Sequence, residues 1–261
     1  MLASLDLFAA GTAPGLALLG ARVGGLVLIA PTLAARTVPT KLKIGLIALF
    51  TLLLAPAAVS VTGVVPSITP ATMLSETIVG FAIGLGAAVI IGAAEAAGET
   101  MAIQIGLSGA SIFDPVNNMT VPALGGFMQT VAITMLLTFD LHLVMLDALA
   151  TSTRVAPLGA PLAIADGLWA MVGTTTTLFA LGLQLAAPVM TVILVANVSL
   201  AVLSRAAPQL NVLGLAFPLQ IGVGLLTLFA ALPYMAAAFP GWTGIYDMLL
   251  DRMMSALMGG G

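Results

Sequence analysis

Apolar positions in this chain fill long windows rather than one face of a repeat. Six such stretches fall at about 15–34, 44–59, 73–94, 123–146, 168–200 and 212–232. A helix needs about 20 apolar residues to cross a hydrocarbon core of about 30 Å. Residues 77–94 and 115–139 carry no charge and meet that length. Residues 167–204 form a longer uncharged run with Pro188 near its middle. Proline removes a backbone hydrogen bond and clashes one turn back, so this run is expected to kink or divide there. Pro218 follows Pro208 closely, so the next segment is expected to start bent. The clearest loop is 60–72, with Pro66 and Pro70, and 151–161 is the next. The pattern predicts an all-α, polytopic integral membrane protein of helical hairpins, several kinked or re-entrant, forming one membrane-embedded domain over 1–261.

Composition sharpens this reading. Of the 261 residues, 61% are hydrophobic and 7% charged, with net charge −3 and a mean hydropathy of +1.20. A soluble domain carries about 25% charge, and a fold of this length leaves much of its surface in water. Ordinary soluble enzymes, disordered chains and nucleic-acid binders, which need a basic surface, are therefore excluded. No cysteine is present, so there is no disulfide framework and no thiolate chemistry. The first residues carry Asp6 and no early basic stretch, unlike a secretory signal, so the first apolar segment is expected to be retained. Arg36, Lys41 and Lys43 concentrate basic charge in one short loop, which marks 35–43 as cytoplasmic and the N-terminus as external. Six full spans would then leave the C-terminus outside.

Small residues spaced four apart predict close helix packing: Gly11 with Gly15, Gly20 with Gly24, and Gly80 with Gly84. Lipid supplies little hydrophobic drive between helices, so close backbone approach has to supply association.

Few residues carry chemistry. Glu95 and Glu99 share one helix face, where they either meet a cavity or stand in interfacial water. Asp140 and His142 follow an uncharged run. His142 is the sole histidine, which rules out a multi-histidine metal site within one chain, and interfacial solvation is the simplest role for it. There is no phosphate-binding loop of the G-x-x-x-x-G-K-[ST] type. Gly106-Leu107-Ser108-Gly109 resembles the serine motif of rhomboid intramembrane proteases, but it is short, and His142 lies closer than that arrangement requires. Residues 104–122, QIGLSGASIFDPVNNMTVP, break regular helix through Gly106, Gly109, Asp114-Pro115 and Asn117-Asn118. Thr120 is expected to cap the next helix, with Pro122 in its first turn. Irregular backbone at membrane depth needs protein or water to satisfy it, so this segment is either a surface loop or a pore lining. Arg205, Pro208, Gln209 and Asn211 interrupt two apolar runs, as a cytoplasmic turn or as a contact with carboxylates or helix-end carbonyls.

Five segments in order, ARVGGLVLIAPTLAARTVPTKLKIGLIALF, GETMAIQIGLSGASIFDP, LTFDLHLVMLDAL, VAPLG and LSRAAPQLNVLGLAFPLQIGVGLL, resemble the FliR/SctT family of type III secretion export-gate proteins. SRAAPQLNV is the most specific part, supported by FDP and by VPTKLKIGL; the flagellar branch is favoured. The resemblance implies a subunit of the export gate in the bacterial inner membrane at the flagellar basal body. It implies assembly with FliP-like and FliQ-like membrane subunits and other export-apparatus membrane proteins, in a helical complex that also meets membrane lipid and passes unfolded flagellar subunits. It implies no cofactor and no catalytic role. It also implies a gate lying largely above the membrane plane and a cytoplasmic C-terminus, so that hydropathy overcounts the spans.

The family's plug loop maps onto about Gly106–Pro122. Leu107, Ile112, Phe113 and Met119 are the apolar residues available to close a constriction by dewetting. Gly106, Ser108, Gly109, Asp114, Pro115, Asn117 and Asn118 make the segment easy to displace. Glu95, Glu99, Asp140, Arg205 and Gln209 are assigned to polar or assembly contacts. The competing class, a small-solute transporter or channel, predicts a buried ionisable pair such as Glu95 or Glu99 with Arg205.

Overall fold

A computed structural model describes residues 12–35, 38–59, 67–107, 123–209 and 212–259. Every regular element among them is helical: α1 Thr12–Ile29, α2 Pro31–Ala34, α3 Thr40–Val59, α4 Pro70–Ile105, α5 Ala123–Thr138, α6 Leu141–Val155, α7 Ile164–Ala206, α8 Val212–Ala238, a 3-10 turn Phe239–Gly241, and α9 Trp242–Leu257. Three are long and apolar enough to cross a membrane: Pro70–Ile105, Ile164–Ala206 and the stretch Ala216–Leu257. A fourth span is added if α5 and α6, a bent pair with a short break, count as one. The described residues thus offer fewer spans than six hydropathy windows suggest.

Local chemistry explains most of the boundaries. Thr69 caps α4: its Oγ1 accepts the Thr72 N–H at 3.1 Å, with Pro70 in the first helical position. The loop expected at 60–72 therefore gives way to helix at Pro70. The helix ends at Gly106, whose φ of 88° is left-handed and whose N–H bonds the Ile103 carbonyl at 3.1 Å. The apolar window 123–146 is broken at Asp140, a non-glycine residue at φ 59°, ψ 24°, which starts α6 with no side-chain cap. Helix persists to Val155, so the second expected loop begins at Ala156 rather than at 151. Pro188 does not divide α7: the helix continues through it for 43 residues. Proline removes one ladder bond, and the turns around it keep theirs, so a long apolar helix survives the loss. Pro56, Pro218 and Pro233 likewise sit inside helices.

The chain divides into two compact units: 1–89 with 140–175 and 242–261, and 90–139 with 176–241. In the first unit the core is built from Leu18, Leu19, Val23 and Leu26 of α1, Val79, Ala82 and Ile83 of α4, and Leu149 of α6, with Tyr246, Leu249 and Met253 of α9. Helices α1 and α4 meet backbone to backbone. A Cβ on Gly80 would overlap the Arg22 carbonyl, one on Gly25 would overlap Thr77 and Phe81 backbone, and one on Gly84 would overlap Ile29. The small-residue spacing thus marks a real contact at Gly80 and Gly84. On α1 the partner is Gly25, because Gly24 has open space around it. Gly11 lies outside the described residues. The Tyr246 hydroxyl donates to the Ile83 carbonyl at 3.2 Å, fastening α9 to α4.

In the second unit Ala93, Ala97, Met101 and Ile105 of α4 are buried, as are Met128, Ala132 and Leu136 of α5 and Leu185, Val189 and Ile193 of α7. Gly98 lies against the backbone of Leu124 and Gly125, and Gly182 against the Ala93 carbonyl, so α5 and α7 both approach α4 closely.

Candidate functional site

The second unit holds the described edge of the segment singled out at 104–122. Ile105 is fully buried, and its side chain occupies the space a Cβ on Gly224 of α8 would need. A Cβ on Gly106 would touch the Phe217 ring at 3.4 Å and lie 3.7 Å from Gln220 Oε1. Gln220 in turn donates through Nε2 to Asn197 Oδ1 of α7. The C-terminal end of α4 is therefore seated against α8, and the α8 amide facing it is held by an amide on α7. Past this point Leu107 is 39% exposed. Ser108, Gly109, Ile112, Phe113, Asp114, Pro115, Asn117, Asn118 and Met119 lie outside the described residues, as do Thr120, Pro122 and Asn211.

Glu95 and Glu99 do share a face of α4, toward α5. Glu95 is half-buried, and its Oε2 accepts the Gln129 side-chain amide at 2.8 Å. Glu99 is exposed, with its aliphatic stem beside Gly125 and no polar partner among the described residues. Arg205 is exposed in the last turn of α7, and Gln209 is exposed in the turn that follows. The buried acid–base pair expected of a transporter is not formed by these residues; Glu95 takes an amide as its partner. In the first unit Asp140 and His142 are both exposed at the start of α6.

The buried charges lie elsewhere, and sequence reasoning passed over them. Arg22 and Glu76 are 1% and 2% exposed in the core of the first unit. Arg22 Nε donates to Glu76 Oε2 at 2.6 Å. Its Nη1 donates to Ser152 Oγ at 3.0 Å and its Nη2 to the Ala156 carbonyl at 2.8 Å. Gly159 N–H donates to Glu76 Oε1 at 2.8 Å. A signal for them existed. Arg22 is the one charge between Asp6 and Arg36, and Glu76 the one charge between Lys43 and Glu95. Isolated opposite charges in apolar helices are expensive unless they find each other. Among the described residues no group of His, Cys, Asp and Glu is placed to hold a metal ion.

The model of a family described as bacterial export proteins, family 1, matches residues 13–243. Two curated proteins, both named flagellar biosynthetic protein FliR, are similar over most of their lengths. The one from Pectobacterium carotovorum subsp. carotovorum is 34% identical over 88% of this chain and 89% of its own. The one from Escherichia coli (strain K12) is 32% identical over the same shares. A third of that name, from Caulobacter vibrioides, is 29% identical over 90% of this chain and 94% of its own.

Proposed function

We propose a function from one premise: the chain belongs to the bacterial export proteins, family 1, whose model spans residues 13–243. It is a membrane-embedded component of the flagellar protein export apparatus, working beside the other proteins of that apparatus. The observation that carries this reading is the match over nearly the whole chain to relatives named flagellar biosynthetic protein FliR.

Within that apparatus the chain helps form and close the channel through which unfolded flagellar subunits cross the bacterial inner membrane at the basal body. FliP-like and FliQ-like membrane subunits are its neighbours. Residues 106–119 are the closing element. Gly106 supports this role, since it ends α4 in a left-handed conformation that turns the chain out of the helix. Leu107 supports it as the first apolar side chain of the segment, partly exposed beyond that turn. Ser108, Gly109, Ile112, Phe113, Asp114, Pro115, Asn117, Asn118 and Met119 complete the segment. Apolar side chains at a constriction exclude ions by dewetting, and a segment whose glycines and Asp114-Pro115 disfavour regular helix is easier for an extended polypeptide to displace.

Glu99 and Arg205, exposed and without polar partners among the described residues, are assembly contacts, Arg205 to carboxylates or helix-end carbonyls and Glu99 to donors or basic groups of a neighbour. Glu95, Asp140 and Gln209 serve as further polar contacts.

The test is deletion of residues 106–119 in cells carrying the rest of the apparatus, read by ion leakage or uptake of a small impermeant solute. The deletion is expected to leak while the complex still assembles. A tight, export-competent deletion overturns the closing role and leaves membership of the apparatus standing.

A further inference from the structure

The Arg22–Glu76 pair does more than neutralise itself: beyond the bonds between them, the two side chains reach Ser152 in the last turn of α6 and two backbone groups of the turn between α6 and α7. That turn is a hard thing to bury. Ala156 ends α6 in extended backbone at φ −121°, ψ 90°, so its carbonyl leaves the helical ladder. Residues 157–160 form a tight turn closed by Ala160 N–H to the Pro157 carbonyl at 3.0 Å, with Gly159 at φ 79°. In a turn of this kind the N–H at the third position has no partner within the turn. Ala156 is buried, so water is not at hand for its stray carbonyl, and Gly159 is half-buried, so its stray N–H is only partly open to water; orphaned backbone groups in such a setting are costly.

The two side chains meet both demands. Arg22 Nη2 supplies the donor for the Ala156 carbonyl, and Glu76 Oε1 supplies the acceptor for Gly159 N–H. Arg22 Nη1 also donates to Ser152 Oγ, whose own proton goes to the Leu149 carbonyl at 2.7 Å. No buried side-chain nitrogen or oxygen is left without a partner among the described residues.

We infer that Arg22 and Glu76 are positioning residues that stand in for solvent around the α6–α7 turn, with Arg22 assigned to its carbonyl and Glu76 to its N–H. The assignment has a direction. A pair that merely balanced charge would work equally well with the two residues exchanged. Here exchange would aim a carboxylate at the Ala156 carbonyl and a guanidinium at the Gly159 N–H, setting acceptor against acceptor and donor against donor. The pair therefore holds the turn through its polarity as well as its charge, and it does so whatever the chain's role in export.

The chain has no cysteine of its own, so Ala160→Cys gives a single reporter in the turn. The full-length protein is purified with its co-assembling subunits, and the rate of labelling by N-ethylmaleimide is measured. Against the Ala160→Cys background, Arg22→Ala and Glu76→Ala are each expected to speed labelling by about tenfold or more, since breaking a buried pair leaves one charge and one backbone group unmet. The exchanged variant, Arg22→Glu with Glu76→Arg, is expected to label as fast as the single variants. Arg22→Lys, which keeps the charge and loses the fork, is expected to fall between. Exchange that restores slow labelling to within about twofold of the parent would overturn the inference and leave a simple ion pair. Unchanged labelling in Arg22→Ala would overturn it as well. If the single variants fail to accumulate, the steady-state amount in membranes becomes the readout. The inference then requires the exchanged variant to be lost too, and normal accumulation of that variant refutes it.

Discussion

In the first unit Arg22 and Glu76 are almost wholly buried and are surrounded by partners drawn from α4, α6 and the turn after it. In the second unit Glu99 and Arg205 stand exposed on α4 and α7 without a polar partner among the described residues, and the half-buried Glu95 is met by an amide. Both units are built from apolar helices, and α4 and α7 contribute to each, so the contrast is not one between apolar and polar architecture. It is a contrast between charge that completes the chain's own interior and charge that faces outward. A charge enclosed in a low-dielectric core is tolerated only when every lone pair and proton has a partner. A charge left on the outside of an apolar helix has to be answered by water or by a neighbour. The Arg22–Glu76 pair is thus closed in its polar bonding inside the first unit, while Glu99 and Arg205 of the second, like Asp140 and His142 on the first unit's own surface, face outward.

The largest effect that would break this comparison is at the buried pair. Arg22→Ala is expected to cost about 3–5 kcal/mol, because it strands Glu76 in the core. Gln129→Leu, which removes only an amide partner from a half-buried carboxylate, is expected to cost about 1–2 kcal/mol. Thermal unfolding of the purified complex measures both; equal losses would erase the distinction between the units.

Next in size is the backbone contact beneath the pair. Gly80→Leu drives a side chain into the Arg22 carbonyl of α1 and is expected to cost at least about 1–3 kcal/mol through overpacking. Gly24→Ala, with open space around it, is expected to be neutral or to stabilise by up to about 1 kcal/mol from helix propensity. The same thermal measurement separates them, and a costly Gly24→Ala would displace the contact from where Gly25 and Gly80 put it.

Smallest for the chain itself are the outward charges. Glu99→Gln and Arg205→Ala are expected to change its own stability by less than about 0.5 kcal/mol while lowering the yield of co-purifying subunits, most clearly at low salt, where the contact in the parent is least screened. An intact complex with normal export in both variants would remove these residues from the assembly surface.

Legibility in the sequence followed interaction range. The caps at Thr69 and Pro70 and the helix end at Gly106 are encoded within a few residues, and composition alone exposes the apolar helices. Pro188 shows the limit of a local rule: its missing donor is real, yet a 43-residue helix absorbs it. The small-residue spacing located α4's contact face but not the α1 glycine that meets it, because spacing does not say which of Gly24 and Gly25 points inward. The segment 104–122 stood out by its turn residues, although only its first residues belong to the described part of the chain.

The apolar, nearly charge-free pattern by itself determined a helical membrane protein, since only helices and closed barrels satisfy backbone hydrogen bonds in lipid, and long unbroken apolar stretches lack the alternation of a barrel strand. The same string of residues carried the resemblance to the export proteins. Only the tertiary structure decided which charges are partners. Arg22 and Glu76 lie 54 positions apart, and Ser152 lies 130 beyond Arg22. Their bonding depends on α1 and α4 crossing at glycine backbone and on α6 delivering its broken end to the crossing, which no local spacing records.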